Sequence, residues 1–210
     1  MRDVKRLLAA REIAVIGGGA WCAAIIKAAA AIGFDGRITP VHPMKSQVAG
    51  LPAVPSLVEL PAVPDAAFVG INRRATINAV RDLAEMGAGG AICFASGFSE
   101  AFAEDATGAT LQDELVAAAG EMPILGPNCY GFLNGLDQTG IWPDQHGLRT
   151  VKRGVAILTQ SSNIAINLTM QTRSLPVAMV ITCGNQAQTS QAEVAHGLLS
   201  DERITAIGLH

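Results

Sequence analysis

The chain alternates short apolar runs with longer segments of helical period, and most of the runs are stopped by glycine, proline or asparagine. Ile13 to Ile16 meets Gly17-Gly18-Gly19, Arg37 to Val41 ends at His42-Pro43, and Ala66 to Gly70 stops just before Asn72. Ala91 to Phe94 precedes Ala95-Ser96-Gly97, and Pro123 to Leu125 meets Gly126-Pro127-Asn128. Between them, residues 21–32 are alanine-rich, and residues 74–86 place Ile77, Val80, Leu83 and Ala84 on one helical face. Leu111, Leu115 and Ala118 mark a third helix. Runs that are apolar throughout suit strands buried on both faces, and such strands need helical crossovers between them. The alternation predicts an α/β fold with a Rossmann-like, doubly wound parallel sheet and right-handed connections.

A shorter series of the same kind follows. Strands are expected at 155–158, 177–182 and 204–208, with helices over 162–173 and 188–199. Residues 127–151 show no clear period and carry Gly, Pro, Asp and Asn, so they read as a connector. The organisation expected is a first domain over 1–128, a connector over 129–151 and a second, truncated β-α-β domain over 152–210. Three strands make a thin sheet. The chain therefore reads as the amino-terminal piece of a longer protein, and an open apolar edge would favour a homo-oligomer.

Composition excludes several classes of function. Net charge is −3 and no basic run occurs, which argues against a nucleic-acid partner. The segment from Ile13 to Phe34 is apolar, but its three glycines, Lys27 and mostly alanine content argue against a membrane span. Arg11 and Glu12 interrupt any signal-peptide core. Cys22, Cys93, Cys129 and Cys183 share no C-x-x-C spacing, so no metal site is expected, and they read as reduced thiols of a cytoplasmic protein.

Ligands of open α/β sheets lie outside the carboxyl ends of the strands, and those ends carry the candidate residues. Gly17, Gly18, Gly19 and Ala20 would let a pyrophosphate approach the backbone at a helix N-terminus. Cys22 stands where the dinucleotide fingerprint has its third glycine, so that pattern is incomplete. The second strand ends without the acidic residue that an NAD ribose requires; Pro43 and Lys45 are there instead. This favours an adenosine with an extra phosphate, as in coenzyme A or NADP, although Lys45 reads equally well as a solvated loop charge. Asn72, Ser96 and Gly97 leave room along the sheet edge, with ordinary helix capping as the plain alternative. Asn128 and Cys129 follow the last strand, either facing a ligand or forming a tight turn around an inert thiol. In the second unit, Ser161 and Ser162 offer hydroxyls and backbone amides to a phosphoryl group at a helix N-terminus, a role compatible with simple N-capping.

Taken together, Ile13-Ala14-Val15-Ile16-Gly17, Val41-His42-Pro43, Ala95-Ser96-Gly97-Phe98, Gly126-Pro127-Asn128-Cys129-Tyr130-Gly131, Thr159-Gln160-Ser161-Ser162 and Cys183-Gly184-Asn185-Gln186 resemble the amino-terminal part of the NDP-forming acyl-CoA synthetases. These are relatives of the succinyl-CoA synthetase α subunit. The resemblance implies a Rossmann-like CoA-binding domain followed by a partial flavodoxin-like domain. It also implies an ATP-grasp domain or subunit that brings ATP and Mg. The implied reaction joins a carboxylic acid to CoA with release of ADP and phosphate, through acyl phosphate and phosphohistidine. By the same resemblance, Gly17 to Ala20 would sit at the CoA phosphates, Pro43 and Lys45 at the adenosine end, Ser96 and Gly97 along the pantetheine, Asn128 and Cys129 at the thiol, and Ser161 and Ser162 at the phosphoryl group.

Departures from the family pattern are specific. Gly-Gly-Gly-Ala-Trp replaces a longer loop with proline and lysine, His42 replaces a common asparagine, and the loop at Ser161-Ser162 lacks the usual glycine after its second serine. None of His42, His146, His196 and His210 stands where the phosphorylated histidine is expected, which is beyond residue 210, so no catalytic residue is evident. The chain by itself should bind CoA without completing a ligase cycle. A non-catalytic CoA-binding regulatory module and an acetyltransferase-associated scaffold are the alternatives, and an NADP-dependent oxidoreductase fragment is disfavoured for want of a catalytic constellation. Trp21 and Trp142 read as packing, although Trp21 could cover a nucleotide and Trp142 could shape an acid pocket.

Overall fold

The computed structural model describes residues 2–210. The elements run α1 (Lys5–Leu8), β1 (Glu12–Ile16), α2 (Ala20–Ala31), β2 (Arg37–Val41), a small hairpin β3 (Gln47–Val48) and β4 (Leu51–Pro52), then β5 (Ala66–Val69), α3 (Arg73–Glu85), β6 (Ala91–Cys93), α4 (Gly108–Ala119) and β7 (Ile124–Leu125). They continue with β8 (Phe132–Asn134), β9 (Thr139–Ile141), β10 (Gly154–Thr159), α5 (Ser162–Thr169), β11 (Val177–Thr182), α6 (Gln191–Leu198) and β12 (Ile204–Leu209).

The first sheet has five strands in the order β2-β1-β5-β6-β7, and every pairing in it is parallel. The chain builds outward from β1 to β2 and then returns to the other side of β1 with β5. The switch point therefore lies between β1 and β5, where this class of sheet opens a crevice. Alternation along β1 explains why the strand is apolar on both faces. Ile13 and Val15 join one core with α1, α2 and residues of the second sheet, while Ala14 and Ile16 join another with Val80 and Leu83 of α3 and Leu111 and Leu115 of α4.

The second sheet also has five strands, in the order β12-β10-β11-β8-β9. This corrects the expected three. The segment 129–151, read as a connector, contributes β8 and β9, which pair antiparallel with each other, and β8 pairs antiparallel with β11. Both are three residues long and wholly buried, so they show no alternation, and the intervening Gly135 to Gln138 masks them as loop. The two sheets share a core: Phe68, Ile92 and Leu125 of the first meet Phe132, Leu158 and Ile181 of the second.

Two helices are shorter than expected. α5 ends at Thr169, whose hydroxyl donates back to the Ile166 carbonyl at 2.8 Å. α6 starts at Gln191 because Ser190 and Glu193 form a reciprocal capping box, leaving 188–190 outside the helix. Among the described residues no helix is long and apolar enough to cross a membrane.

Candidate functional site

At the switch point the backbone is drawn tight. Gly17 has φ +121° and donates to the Val41 carbonyl at 3.0 Å; a Cβ there would stand 2.7 Å from the Gly70 carbonyl oxygen. Gly18 lies against the His42 ring, where a Cβ would meet the imidazole at 2.4 Å. Gly19 has open space around it and leads into α2 with extended backbone. No side chain caps α2. Asn72 caps α3, Ser161 caps α5 and Ser190 caps α6, while α1 and α4, like α2, have no side-chain cap. The first amides of α2, beside an exposed glycine turn, are therefore left for water or an anion.

Lys45 reaches the same turn, with its ammonium donating to the Gly18 carbonyl at 2.5 Å. Its approach is set by His42, whose Nδ1 accepts from the amides of Met44 and Lys45 at 3.1 and 3.0 Å. An Nδ1 that accepts twice leaves the ring proton on Nε2. His42, which departs from the family pattern, thus serves as the acceptor that folds the Pro43-Lys45 turn. Its signal in the sequence was only its place between a strand and a proline.

A cleft of about 510 Å³ runs along the strand ends from Gly70 to Tyr130. Asn72, Ser96, Asn128 and Cys129 all line it, together with Trp21, Arg73 and Phe94. Asn72 also caps α3, accepting from the Ala75 amide at 3.0 Å, so the capping and lining readings both describe it. Asn128 sits at φ +55° with its amide donating to the Ala95 carbonyl at 2.9 Å. Gly97 adjoins the cleft at φ +91°, and its turn is held on both sides. Glu100 accepts from the Gly97 amide at 2.6 Å, and Arg73 donates to the Gly97 carbonyl while pairing with Asp105. The Thr107 hydroxyl, followed by Arg73, holds the Asp105 carboxyl well below its ordinary range. Sequence reasoning passed over Arg73 and Glu100 because each forms its contact through a loop of irregular backbone.

Cys129 borders the cleft but is only 1% exposed, and its thiol is turned to Thr182, with the carbonyl at 3.0 Å and the hydroxyl at 3.3 Å. Burial pushes its pKa up to about 11 and that of Cys183 to about 12, and it raises Cys93 and Cys22 as well. All four cysteines are free and buried. The thiols are therefore poor nucleophiles near neutrality. With iodoacetamide at pH 8, mass spectrometry should find all four unmodified in the native chain and all four carbamidomethylated in denaturant; rapid native labelling of Cys129 would contradict this geometry.

Ser161 and Ser162 are not brought into the cleft. They stand at the carboxyl end of β10 in the second sheet, where Ser161 accepts from the Ile164 amide at 3.5 Å and Thr159 meets His210 Nδ1 at 3.2 Å. Trp142 is fully buried, with its indole donating to the Gln145 carbonyl at 3.3 Å, and lines no part of the cleft. Another groove, of about 360 Å³, lies between Gly147–Arg149 and Thr169–Val177, and no candidate residue lines it. No cluster of three or more potential metal ligands occurs among the described residues.

The model of the CoA binding domain family matches residues 11–135, which span the glycine turn, the Lys45 loop and the whole cleft. The chain belongs to the CoA binding domain family. Its curated relatives are much longer. A trans-feruloyl-CoA synthase from an unknown prokaryotic organism is 32% identical over 220 aligned positions, covering all of this chain and 31% of the relative. The ADP-forming acetate–CoA ligase II of Archaeoglobus fulgidus is 28% identical over 185 positions, covering 85% of this chain and 27% of the relative. The chain thus spans about a third or less of these proteins. Among solved structures, the apo form of the Ca. Korarchaeum cryptofilum dinucleotide forming acetyl-coenzyme A synthetase 1 superposes with a TM-score of 0.85 at 23% identity, over 99% of this chain and 45% of that one. This shows that the CoA binding domain and the second unit together follow the synthetase fold.

Proposed function

We propose that this chain is the CoA-binding, amino-terminal portion of an ADP-forming acid–CoA ligase. The observation that carries the reading is the uncapped N-terminus of α2, set beside an open glycine turn and Lys45, at the head of a cleft along the strand ends. The amides and the ammonium suit the phosphates at the nucleotide end of CoA. Ser96 and Gly97 lie along the path of the pantetheine, and Asn128 and Cys129 border its thiol end. Bound CoA would supply the nucleophilic thiol; the residues of this chain bind, orient and shield it. Cys129, held neutral by burial, shapes the wall and takes no part in covalent chemistry.

In this reading residues 1–128 form the CoA-binding domain, and the unit ending in β12 is flavodoxin-like, with Ser161 and Ser162 at α5 receiving a phosphoryl group. ATP and Mg belong to an ATP-grasp domain or subunit outside this chain. The acid is aromatic, as the name of the trans-feruloyl-CoA synthase at 32% identity suggests. Calorimetry on the 210-residue chain with CoA, dephospho-CoA, NADP and NAD tests the nucleotide end. CoA should bind best, and losing either the 3′-phosphate or the Lys45 ammonium (Lys45→Ala) should weaken it about fivefold to tenfold, on the order of 1 kcal/mol for one exposed charge-assisted contact. A preference for NADP would overturn the proposal in favour of an oxidoreductase.

A further inference from the structure

The cleft has an aromatic wall that CoA binding leaves unexplained. Trp21 on the first turn of α2 lies 5.2 Å from Phe94 and 6.1 Å from Tyr130, centroid to centroid, and Phe94 lies 5.9 Å from Tyr130. All three line the cleft. The wall is backed by fully buried rings: Phe68 stands 5.4 Å behind Phe94, and Trp142 meets Tyr130 edge-on at 5.7 Å. Aromatic residues make up only 4% of the chain, yet these five form one continuous row. The rings behind the wall are buried. Trp21 is instead 45% exposed, at the mouth of the cleft. Burial and nearby Asp144 raise the Tyr130 pKa, so its hydroxyl stays a neutral donor. Tyr130 also directly follows Cys129, so its ring adjoins the place where the CoA thiol would end.

We infer that Trp21, Phe94 and Tyr130 form a subsite for the aryl group of an aromatic acyl thioester, with Trp21 as the face on which the ring stacks. The inference rests on the proposed CoA-binding function and assigns residues to the acyl end of the same cleft. Stacked and tilted aromatic pairs are favourable beyond the area they bury, and a wall held by rings behind it loses little freedom when a ligand docks. No carboxylate lines the cleft to repel an electron-rich ring or to demand a polar acyl group.

The test compares cinnamoyl-CoA, acetyl-CoA, CoA and 4′-phosphopantetheine by calorimetry on the 210-residue chain, in the wild type and in Trp21→Ala and Trp21→Phe. Cinnamoyl-CoA should bind on the order of tenfold tighter than acetyl-CoA, as expected for one stacked ring with its buried area. That ratio should collapse towards one in Trp21→Ala and recover in part in Trp21→Phe. Cinnamoyl-CoA, but not acetyl-CoA, should quench the exposed indole of Trp21, with Trp142 as the buried reference. Equal affinities for the two thioesters, or a ratio that survives Trp21→Ala, would overturn the wall while leaving CoA binding intact. If Trp21→Ala weakens CoA itself but not 4′-phosphopantetheine, the indole stacks on adenine, and the aryl assignment is wrong. Loss of all CoA binding in the wild type would overturn the proposed function and the subsite together.

Discussion

Gly17→Val should lower the melting temperature by roughly 6–12 °C and abolish CoA binding. Gly17 sits at φ +121°, a region closed to β-branched residues, and its Cβ would meet the Gly70 carbonyl oxygen at 2.7 Å and the Cys22 sulfur at 3.0 Å. Neither contact can yield cheaply, because Gly70 is itself tied to the Ile16 carbonyl at 2.9 Å and Cys22 is fully buried. Backbone strain and overpacking each cost about 1–3 kcal/mol, so about 3 kcal/mol together is a moderate expectation. In a chain of this size each kcal/mol moves the melting point by roughly 2–4 °C. Relief by parting β1 from β5 would open the crevice proposed as the nucleotide end of the CoA site, so affinity should fall with stability. Calorimetric scanning of both chains checks this; a variant melting within about 2 °C of the wild type would mean that the β1 turn is looser than described.

Trp142→Ala should be comparably severe, for a different reason. The indole is fully buried among Ile32, Leu133, Leu148 and Val180, and its edge supports Tyr130. Truncating a buried tryptophan costs about 3–5 kcal/mol through lost burial and the cavity left behind. A fall of roughly 6–20 °C in melting temperature follows. Because β8 and β9 carry Leu133 and lead into Trp142, the loss should be felt in the second sheet as well as at the cleft wall. Urea unfolding read by Trp21 and by far-ultraviolet circular dichroism would check it. A normal unfolding midpoint combined with altered ligand affinity would recast Trp142 as a pocket residue.

The first sheet was legible because its strands are buried on both faces and its turns use glycine, proline and asparagine at the stops, so apolar runs and breakers coincide. The second sheet was only partly legible. β10, β11 and β12 have six residues each and stand out as apolar runs, whereas β8 and β9 are three residues long and owe their conformation to pairing with β11, a long-range contact that no local pattern announces. At the site, the strand-end rule named Asn72, Ser96, Asn128 and Cys129, and these four line one cleft. It could not show that the Cys129 thiol turns inward to Thr182, or that an imidazole folds the Lys45 turn, because both depend on where β11 and the β2 exit lie in space. The aromatic wall was invisible for the same reason: Trp21, Phe68, Phe94, Tyr130 and Trp142 come from five separate segments.

The most direct measurement is a titration of the isotope-labelled chain with CoA, followed by backbone amide NMR. The shifts expected to move form a single stripe: Gly17 to Trp21, Lys45, Asn72, Ser96 to Gly97, and Asn128 to Tyr130, with the groove at Gly147–Arg149 and Thr169–Val177 unmoved. No perturbation at saturating CoA, or perturbation confined to that second groove, would contradict the placement of the CoA site at the strand ends of the first sheet.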